Sequence, residues 1–551
     1  MKLKKFLPQF VIIAVALFFL RELFFPGFPF THDGHNHLAR LANLWLTLKA
    51  GQFPPRFAPN LDHGFGYPVF NFNYYLPYFL ALPFKFFNLS FEISLKASLI
   101  LFYAFGGLGI YSWLSRYLNR QASTLAAIIY LSAPYQLLNI FVRGNLGEIA
   151  ALSILPWVFW SLDRLKPKNL SRLVQTSLLM AAFWLSHNLI TLVGLPLLAF
   201  YHLVFNLPRL QFKPWLKSSL FLTFLTISLA AFFYFPAILE KQFIILDQGS
   251  YLDHYQQHFV YPQQLITTSW DFGYSVAGPE DDMDFSLGRG QLIIAAVSLI
   301  ILITRRKKAP LGLAVFFTAV LIIAIFLMLP MSQPLYHLIK PLRYLQFPWR
   351  WLLLSPLALA VIASLGFNQL KSKKSLTLIT LLLSSLLIFQ AWPWSKAQSL
   401  MHNSDQNYYD FFFTSSVLQE NTSIWFWREK TLKLPALYVL ERNHSVQPQI
   451  LKWNAKTHLY RMNYDQEMDI VERTAYFPGW QAFIDGQPAE INYQDKQYPG
   501  LIGLKVPSGD HLVKTIFTQK TPPRIIGNSL SLIALLASII ILIRKQPHEK
   551  T

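Results

Sequence analysis

Tyr74-Tyr75-Leu76-Pro77-Tyr78-Phe79-Leu80-Ala81-Leu82-Pro83-Phe84-Lys85-Phe86-Phe87-Asn88-Leu89 is the stretch on which the layout of the whole chain turns. It is apolar but short, and it carries two prolines and a lysine. A helix crossing the hydrocarbon core needs about 20 predominantly apolar residues. The stretch therefore reads as a helix lying at the outer membrane interface. If it crossed instead, Arg116 and Arg120 would move to the outer side, and the placement of basic residues on the inner side would break.

Working outward from there, apolar runs of 14 to 20 residues, read as spans, recur at 6–25, 95–114, 122–141, 148–162, 173–187, 189–206, 218–236, 291–304, 310–329, 350–368, 375–393 and 525–543. That gives about twelve transmembrane helices with both termini cytoplasmic. The run after Lys2, Lys4 and Lys5 has no small-residue cleavage site and reads as a retained first helix. The chain of 551 residues is 53% hydrophobic and 14% charged, with a mean hydropathy of +0.33. A soluble globular enzyme, a disordered chain and a fibre are excluded by that composition. No cysteine occurs, so disulfides, thiolate metal sites and cysteine nucleophiles are excluded as well.

The net charge of +20 would suggest nucleic acid in a soluble protein. Here the basic residues sit between the runs, at Arg116 and Arg120, at Arg164, Lys166, Lys168 and Arg172, and at Arg209, Lys213 and Lys217. Others follow at Arg305 to Lys308, at Lys371, Lys373 and Lys374, and at Arg544, Lys545 and Lys550. These are cytoplasmic anchors, and once they are assigned no basic surface is left for nucleic acid. Residues 394–524 are polar and nearly balanced in charge. Strand-like alternation at Lys456–Met462, Trp480–Ile484 and Leu501–Val506, with a tight turn at Asp485-Gly486, predicts a small β-sandwich-like module there.

Ionisable residues are nearly absent at mid-depth of the spans, where an ion-coupled transporter would keep some. They gather at the outer helix ends instead, which points to chemistry at the outer face. Thr31-His32-Asp33-Gly34-His35-Asn36-His37 opens the first outer loop. Positions 33 and 37 share a face if the segment is helical, as a carboxylate–imidazole pair able to accept a proton or hold a metal. The plainer alternative is that Asp33 caps the helix running to about Leu48. The spacing is not that of a closed zinc site.

Arg143-Gly144-Asn145-Leu146-Gly147-Glu148 forms a very short second outer loop. Its two charges either pair to close the turn or serve function, because unpaired they are costly at the mouth of apolar helices. Ser186-His187-Asn188 stands at another outer helix end. Lys340, Arg343 and Arg350, beside Trp349, suit a lipid phosphate through the bidentate fork of Arg, or else simple anchoring at the interface.

These motifs resemble a known family. His32-Asp33-Gly34-His35 with Arg40, Gly51-Gln52-Phe53-Pro54-Pro55-Arg56, Gly64-Phe65-Gly66-Tyr67-Pro68, Arg143-Gly144 with Glu148, Ser186-His187-Asn188 and Gln346-Phe347-Pro348-Trp349-Arg350 look like the membrane proteins called 6-pyruvoyl-tetrahydropterin synthase-related. Tyr476-Phe477-Pro478-Gly479-Trp480, Asp485-Gly486 and Val506-Pro507-Ser508-Gly509-Asp510-His511 look like the tail of YfhO-like proteins. No pterin chemistry is implied, since no soluble domain with three zinc-binding histidines is visible. Both groups are similar to the GT-C glycosyltransferases.

The resemblance implies a polytopic α-helical membrane protein of GT-C-like fold with a small β-rich extracytoplasmic domain near the C-terminus. Residues 1–393 would form the transmembrane domain with its first outer loop at 26–94, 394–524 the β-rich domain, and 525–551 a final helix and cytoplasmic tail. It implies transfer of a sugar from a polyprenyl-phosphate donor, with inversion, to a cell-envelope glycan or lipid acceptor at the outer face of the cytoplasmic membrane. Asp33, Glu148 and His187 would be catalytic, and would also hold a divalent metal ion if one is used. Arg143, Lys340, Arg343 and Arg350 would bind the donor phosphate. His32, His35, His37, Asn188 and Gln346 would contact substrate. The paired acids common in the family's first loop are here His32-Asp33, with one carboxylate. The competing reading is a non-enzymatic transporter or assembly factor for lipid-linked glycans, which would line a continuous path with polar residues.

Overall fold

Helix Leu146–Asp163 fixes the frame. Asn145 caps it by accepting from the Glu148 N–H at 3.0 Å, and its 18 residues span roughly 27 Å at about 1.5 Å per residue. Glu148 therefore stands at one end of the bundle and Asp163 at the other. The computed structural model describes residues 3–544 except 248, 268–269, 306–309, 371–372, 417–418, 429–433, 440–443 and 446–447. Lys2, Arg306 to Lys308, Lys371, Lys545 and Lys550 of the basic clusters lie outside the described residues, as does the expected tail after Arg544.

Among the described residues eight helices are long and apolar enough to cross a bilayer, or nine if Arg120–Leu131 and Pro134–Phe141, bent by 42°, count as one span. Proline at the start of the second piece accounts for the break, because it lacks an N–H and clashes with the preceding turn. Three of the expected twelve spans fall on shorter helices, Leu3–Phe19, Leu170–Trp184 and Arg289–Thr304, with 17, 15 and 16 residues. The deciding stretch forms helix Leu76–Phe86, with 11 residues and too short to cross. It buries Tyr78, Ala81 and Leu82, and Lys85 reaches the Asp405 carboxylate at 2.5 Å.

Basic clusters from three connections converge at the Asp163 end. Arg116 donates to the Asp163 carbonyl at 3.1 Å, Arg209 donates to the same carbonyl, and Arg172 donates to the Arg164 carbonyl at 3.0 Å. The Asp163 carboxylate accepts from Trp113, Tyr117 and Tyr201. At the opposite end lie the first loop, the turn at Arg143 and the segment after residue 394.

The β-rich region is a sandwich of two antiparallel sheets. One runs Leu501–Val506, Met468–Ala475, Leu437–Val439, His444–Ser445. The other runs Gln449–Trp453, Thr457–Tyr464, Gly509–Phe517, Trp480–Ile484, Gln487–Ala489. Alternating side chains meet between them, with Tyr460, Met462, Val513 and Ala482 facing Met468, Ile470, Ile502 and Leu504 in one cluster. The expected turn is present, and Asp485 at φ 51° and Gly486 at φ 82° carry the two positive φ values that a type I′ hairpin needs. The Asp485 carboxylate accepts from Leu512 N at 2.8 Å and from the His511 ring at 2.6 Å, and the His511 contact holds it below the usual carboxylate range.

The sandwich is seated on the first loop. The Phe57 ring stacks on Phe517 at 5.5 Å and meets Trp480 edge-on at 5.6 Å. The Asp62 carboxylate pairs with Arg428. Glu240, at the end of helix Phe212–Leu239, pairs with Arg524 of the last helix at 2.8 Å, and both are buried.

Candidate active site

A cavity of about 710 Å³ opens where these polar ends meet. His32, Asp33, His37, Arg143, His187, Asn188, Gln346 and Arg350 all line it, although the sequence scatters them from the first loop to residue 350. His254, Gln257 and His258, residues 274–277, and Ser415, Ser416, Glu420 and Asn421 add to its walls.

Asp33 stands at the N-cap position of helix Gly34–Lys49, yet its carboxylate makes no capping bond. Thr31 Oγ1 takes that role, accepting from Gly34 N at 3.0 Å. Glycine at 144 permits the arrangement, because its φ of +67° favours glycine and a Cβ there would stand 2.2 Å from Thr31 Oγ1. The Asp33 carboxylate is left half-buried on the cavity wall with no hydrogen-bond partner among the described residues. The capping alternative is therefore not realised.

Glu148 is the hub of a buried network. The Arg143 guanidinium meets it through two nitrogens at 2.8 and 2.9 Å, Arg350 Nε donates to it at 3.2 Å, and Tyr135 and Asn145 donate at 2.6 and 3.3 Å. The ion pair that would close the turn is thus present. It also fixes two guanidinium groups behind one carboxylate, which leaves one net positive charge at the cavity wall. Arg143 lies over the Trp349 ring at 4.4 Å, which holds its plane. Among the described residues nothing accepts from Arg350 Nη2.

His187 caps the helix beginning at Asn188, its Nδ1 accepting from Leu189 N at 3.1 Å and Ile190 N at 3.4 Å. Amides only donate, so the neutral ring carries its proton on Nε2 and offers a donor. Tyr74 stacks on this ring at 4.8 Å. Gly147 makes room for that contact, since a Cβ there would stand 2.3 Å from the Tyr74 ring. His32 donates through Nε2 to the Phe272 carbonyl at 3.0 Å and stacks on Tyr274 at 4.1 Å, and burial lowers its pKa. His37 Nδ1 lies 2.6 Å from the Tyr78 hydroxyl.

Several expected placements are not met. Glu148 is fully buried with its oxygens occupied, and it does not line the cavity. Lys340 is exposed, and Arg343 donates to the Tyr336 and His337 carbonyls at 2.8 and 2.9 Å. The short helix Gln333–Leu338 ends there and draws the guanidinium to its orphan carbonyls. Neither residue lines the cavity. His35 turns away too, edge-on to Tyr408 and Phe411. Asp33, Glu148 and His187 do not present a metal donor set, because Glu148 is taken by arginines and the His187 nitrogen able to ligate accepts from amides. Among the described residues no group of three or more His, Asp or Glu is placed to hold a metal ion.

The sequence reading missed His254 and His258. They line the cavity with their Nε2 atoms 3.2 Å apart, and His258 Nδ1 lies 2.9 Å from Ser275 Oγ. Their four-residue spacing was the available signal. Arg40, buried, donates to the hydroxyl of Ser415 at 3.1 Å and to its carbonyl, tying the helix of the first loop to the far wall.

These features define a membrane protein with many apolar helices and a polar, cation-lined cavity at one end of its bundle. The sequence model of the family described as 6-pyruvoyl-tetrahydropterin synthase related domain, membrane protein, matches residues 72–397, more than half of the chain. The chain belongs to that family. A relative from Lactococcus lactis subsp. cremoris (strain MG1363), described as an uncharacterized protein, is 26% identical over 247 residues, 43% of this chain and 40% of the relative. Two solved structures are similar to it. The arabinofuranosyltransferase AftD from Mycobacteria has a TM-score of 0.45 at 13% identity, over 70% of this chain and 27% of that one. The archaeal oligosaccharyltransferase AglB from Archaeoglobus fulgidus, in complex with an inhibitory peptide and a dolichol-phosphate, has a TM-score of 0.44 at 15% identity, over 77% of this chain and 61% of that one. The chain spans less than two thirds of the length of each of these relatives.

Proposed function

We propose that the protein is a GT-C-type glycosyltransferase, taking a sugar from a polyprenyl-phosphate donor and attaching it to a cell-envelope glycan or lipid at the outer face of the membrane. One observation carries the reading: an uncapped carboxylate, Asp33, shares a cavity with two guanidinium groups, Arg143 and Arg350, fixed by a buried counter-ion. A base and a fixed cationic wall in one cavity are what displacement of a phosphate leaving group asks for.

In that reaction the acceptor oxygen attacks the anomeric carbon as its proton passes to Asp33. The bond from that carbon to the phosphate oxygen breaks, and polyprenyl phosphate leaves with the electron pair. In-line attack inverts the anomeric centre. Arg143, Arg350 and the Nε2–H of His187 stabilise the charge that develops on the phosphate.

The transporter reading would need a polar path along the bundle. The walls of this cavity come from helix ends and connecting segments at one end, which favours an enzyme. Protein in lipid nanodiscs, given a panel of polyprenyl-phosphate sugars and envelope extract, should release polyprenyl phosphate. A reporter fused after Asn454 should read external. No release with any donor, or a cytoplasmic signal, would count against the proposal.

A further inference from the structure

A second cavity, of about 320 Å³, lies where the first loop meets the five-stranded sheet, lined among others by Asn60, Trp453, Asn454, His458, Thr474 and Trp480. It stands apart from the Asp33 cavity and shares none of its lining residues.

Its wall combines aromatic surface with fixed polar atoms. Trp453, at the end of an edge strand, is 36% exposed, and the His458 ring backs it at 3.9 Å with planes 4° apart. Glu472 is buried and accepts from the Tyr460 hydroxyl at 2.9 Å and the Thr515 hydroxyl at 3.0 Å, so His458 donates to it through Nδ1 at 2.8 Å. That fixes the ring and leaves Nε2 for a ligand. Trp480 is 5% exposed, and its Nε1–H is buried with no acceptor among the described residues. Asn454 uses its Oδ1 on the amides of Lys456 and Thr457, which leaves its Nδ2 as a donor. Asn60 uses its Nδ2 on the Tyr409 carbonyl, which leaves its Oδ1 as an acceptor.

The ligand class follows from this inventory. An anion would require a cation, and no Lys or Arg is among the described residues that line the cavity. An acyl chain would bury the free His458 and Asn60 polar atoms unpaired, at roughly 1–3 kcal/mol each. A pyranose ring presents an apolar C–H face to an indole and hydroxyls at its edge to donors and acceptors. We infer that this cavity is a glycan-binding subsite that takes a pyranose unit. The inference does not rest on glycosyl transfer at the Asp33 cavity.

The test is photolabelling of the full chain in lipid nanodiscs, where no glycoside detergent competes. The probes are diazirine-bearing methyl glycosides of glucose, galactose, N-acetylglucosamine and rhamnose, with adducts mapped by peptide mass spectrometry. At least one should label peptides covering 57–65 or 449–460. Trp453→Ala should cut that labelling about tenfold, and Thr474→Val, which keeps the shape and removes a hydroxyl, about threefold. If Trp453→Ala fails to fold, Thr474→Val carries the test alone. Absence of these adducts with all four probes, or labelling unchanged in the folded variants, overturns the inference. Adducts confined to peptides around Asp33 overturn it too, and leave the proposed transfer untouched.

Discussion

Arg143 grips Glu148 through both terminal nitrogens, at 2.8 and 2.9 Å, and both side chains are buried. With Arg350, Tyr135 and Asn145 also donating to it, this carboxylate has no capacity left for a proton or a metal. Glu148→Gln keeps the shape and removes the charge, stranding Arg143 and Arg350 together. Breaking a buried pair in this way costs about 3–5 kcal/mol. The expected outcome is a large fall in the thermal midpoint together with loss of activity. A stable Glu148→Gln protein that lacks only activity would instead make Glu148 a direct participant.

Thr31 predicts the opposite balance. Thr31→Val removes the acceptor for Gly34 N, and Asp33, at the N-cap position, can then turn its carboxylate onto an amide of the first helical turn. Losing a cap costs about 1 kcal/mol of stability. Turning Asp33 onto the amide should lower turnover by far more than that loss implies, about tenfold or beyond for a displaced base. Turnover and thermal midpoint measured on the same preparation check this. Unchanged turnover would mean that Asp33 does not depend on Thr31.

Arg350 and Arg343 are alike in sequence and unlike in place. Arg350→Lys loses the planar contact with Glu148 and the fixed orientation toward the cavity, so donor use should fall about ten- to a hundredfold. Arg343→Lys, away from the cavity, should leave the donor-dependence curve as it is. Equal curves for the two variants would displace the phosphate site from Arg350.

His258 gives a pH signature. Burial, with His254 and Arg350 nearby, lowers its pKa to about 4, against roughly 6.5 for an unfolded histidine. Between those values the unfolded chain binds the proton and the folded chain does not, so stability falls as pH drops from about 6.5 toward 4. His258→Gln should flatten that part of the curve. Thermal midpoints at pH 7.5 and 5 for both proteins decide it, and equal slopes would sink the assignment.

The sequence was most informative where one physical rule dominated. Proline, lysine and length marked Tyr74–Leu89 as non-spanning, and helix Leu76–Phe86 is too short to cross. Asp485-Gly486 fixed its hairpin because few residues accept positive φ in succession. The span total was less legible, because Leu170–Trp184 and Arg289–Thr304 have 15 and 16 residues, fewer than the roughly 20 that a crossing helix needs. Within the site, residue type and helix-end position grouped Asp33, Arg143, His187 and Arg350, and the structure places all four on one cavity. Which way each side chain turns was not legible. The end of a short helix claims Arg343 while the Glu148 hub claims Arg350, and both outcomes depend on tertiary partners remote in sequence. His254 and His258 reach the cavity only through the path of a long connection.

If Asp33 takes the acceptor proton, Asp33→Asn removes that step and nothing else. Its carboxylate has no hydrogen-bond partner among the described residues, so the amide should leave the fold intact. The measurement is single-turnover release of polyprenyl phosphate by wild type and variant in nanodiscs, with equal thermal midpoints as the control. The transfer rate should fall about a hundred- to ten-thousandfold with donor binding retained. An Asp33→Asn protein that transfers sugar at the wild-type rate would contradict it.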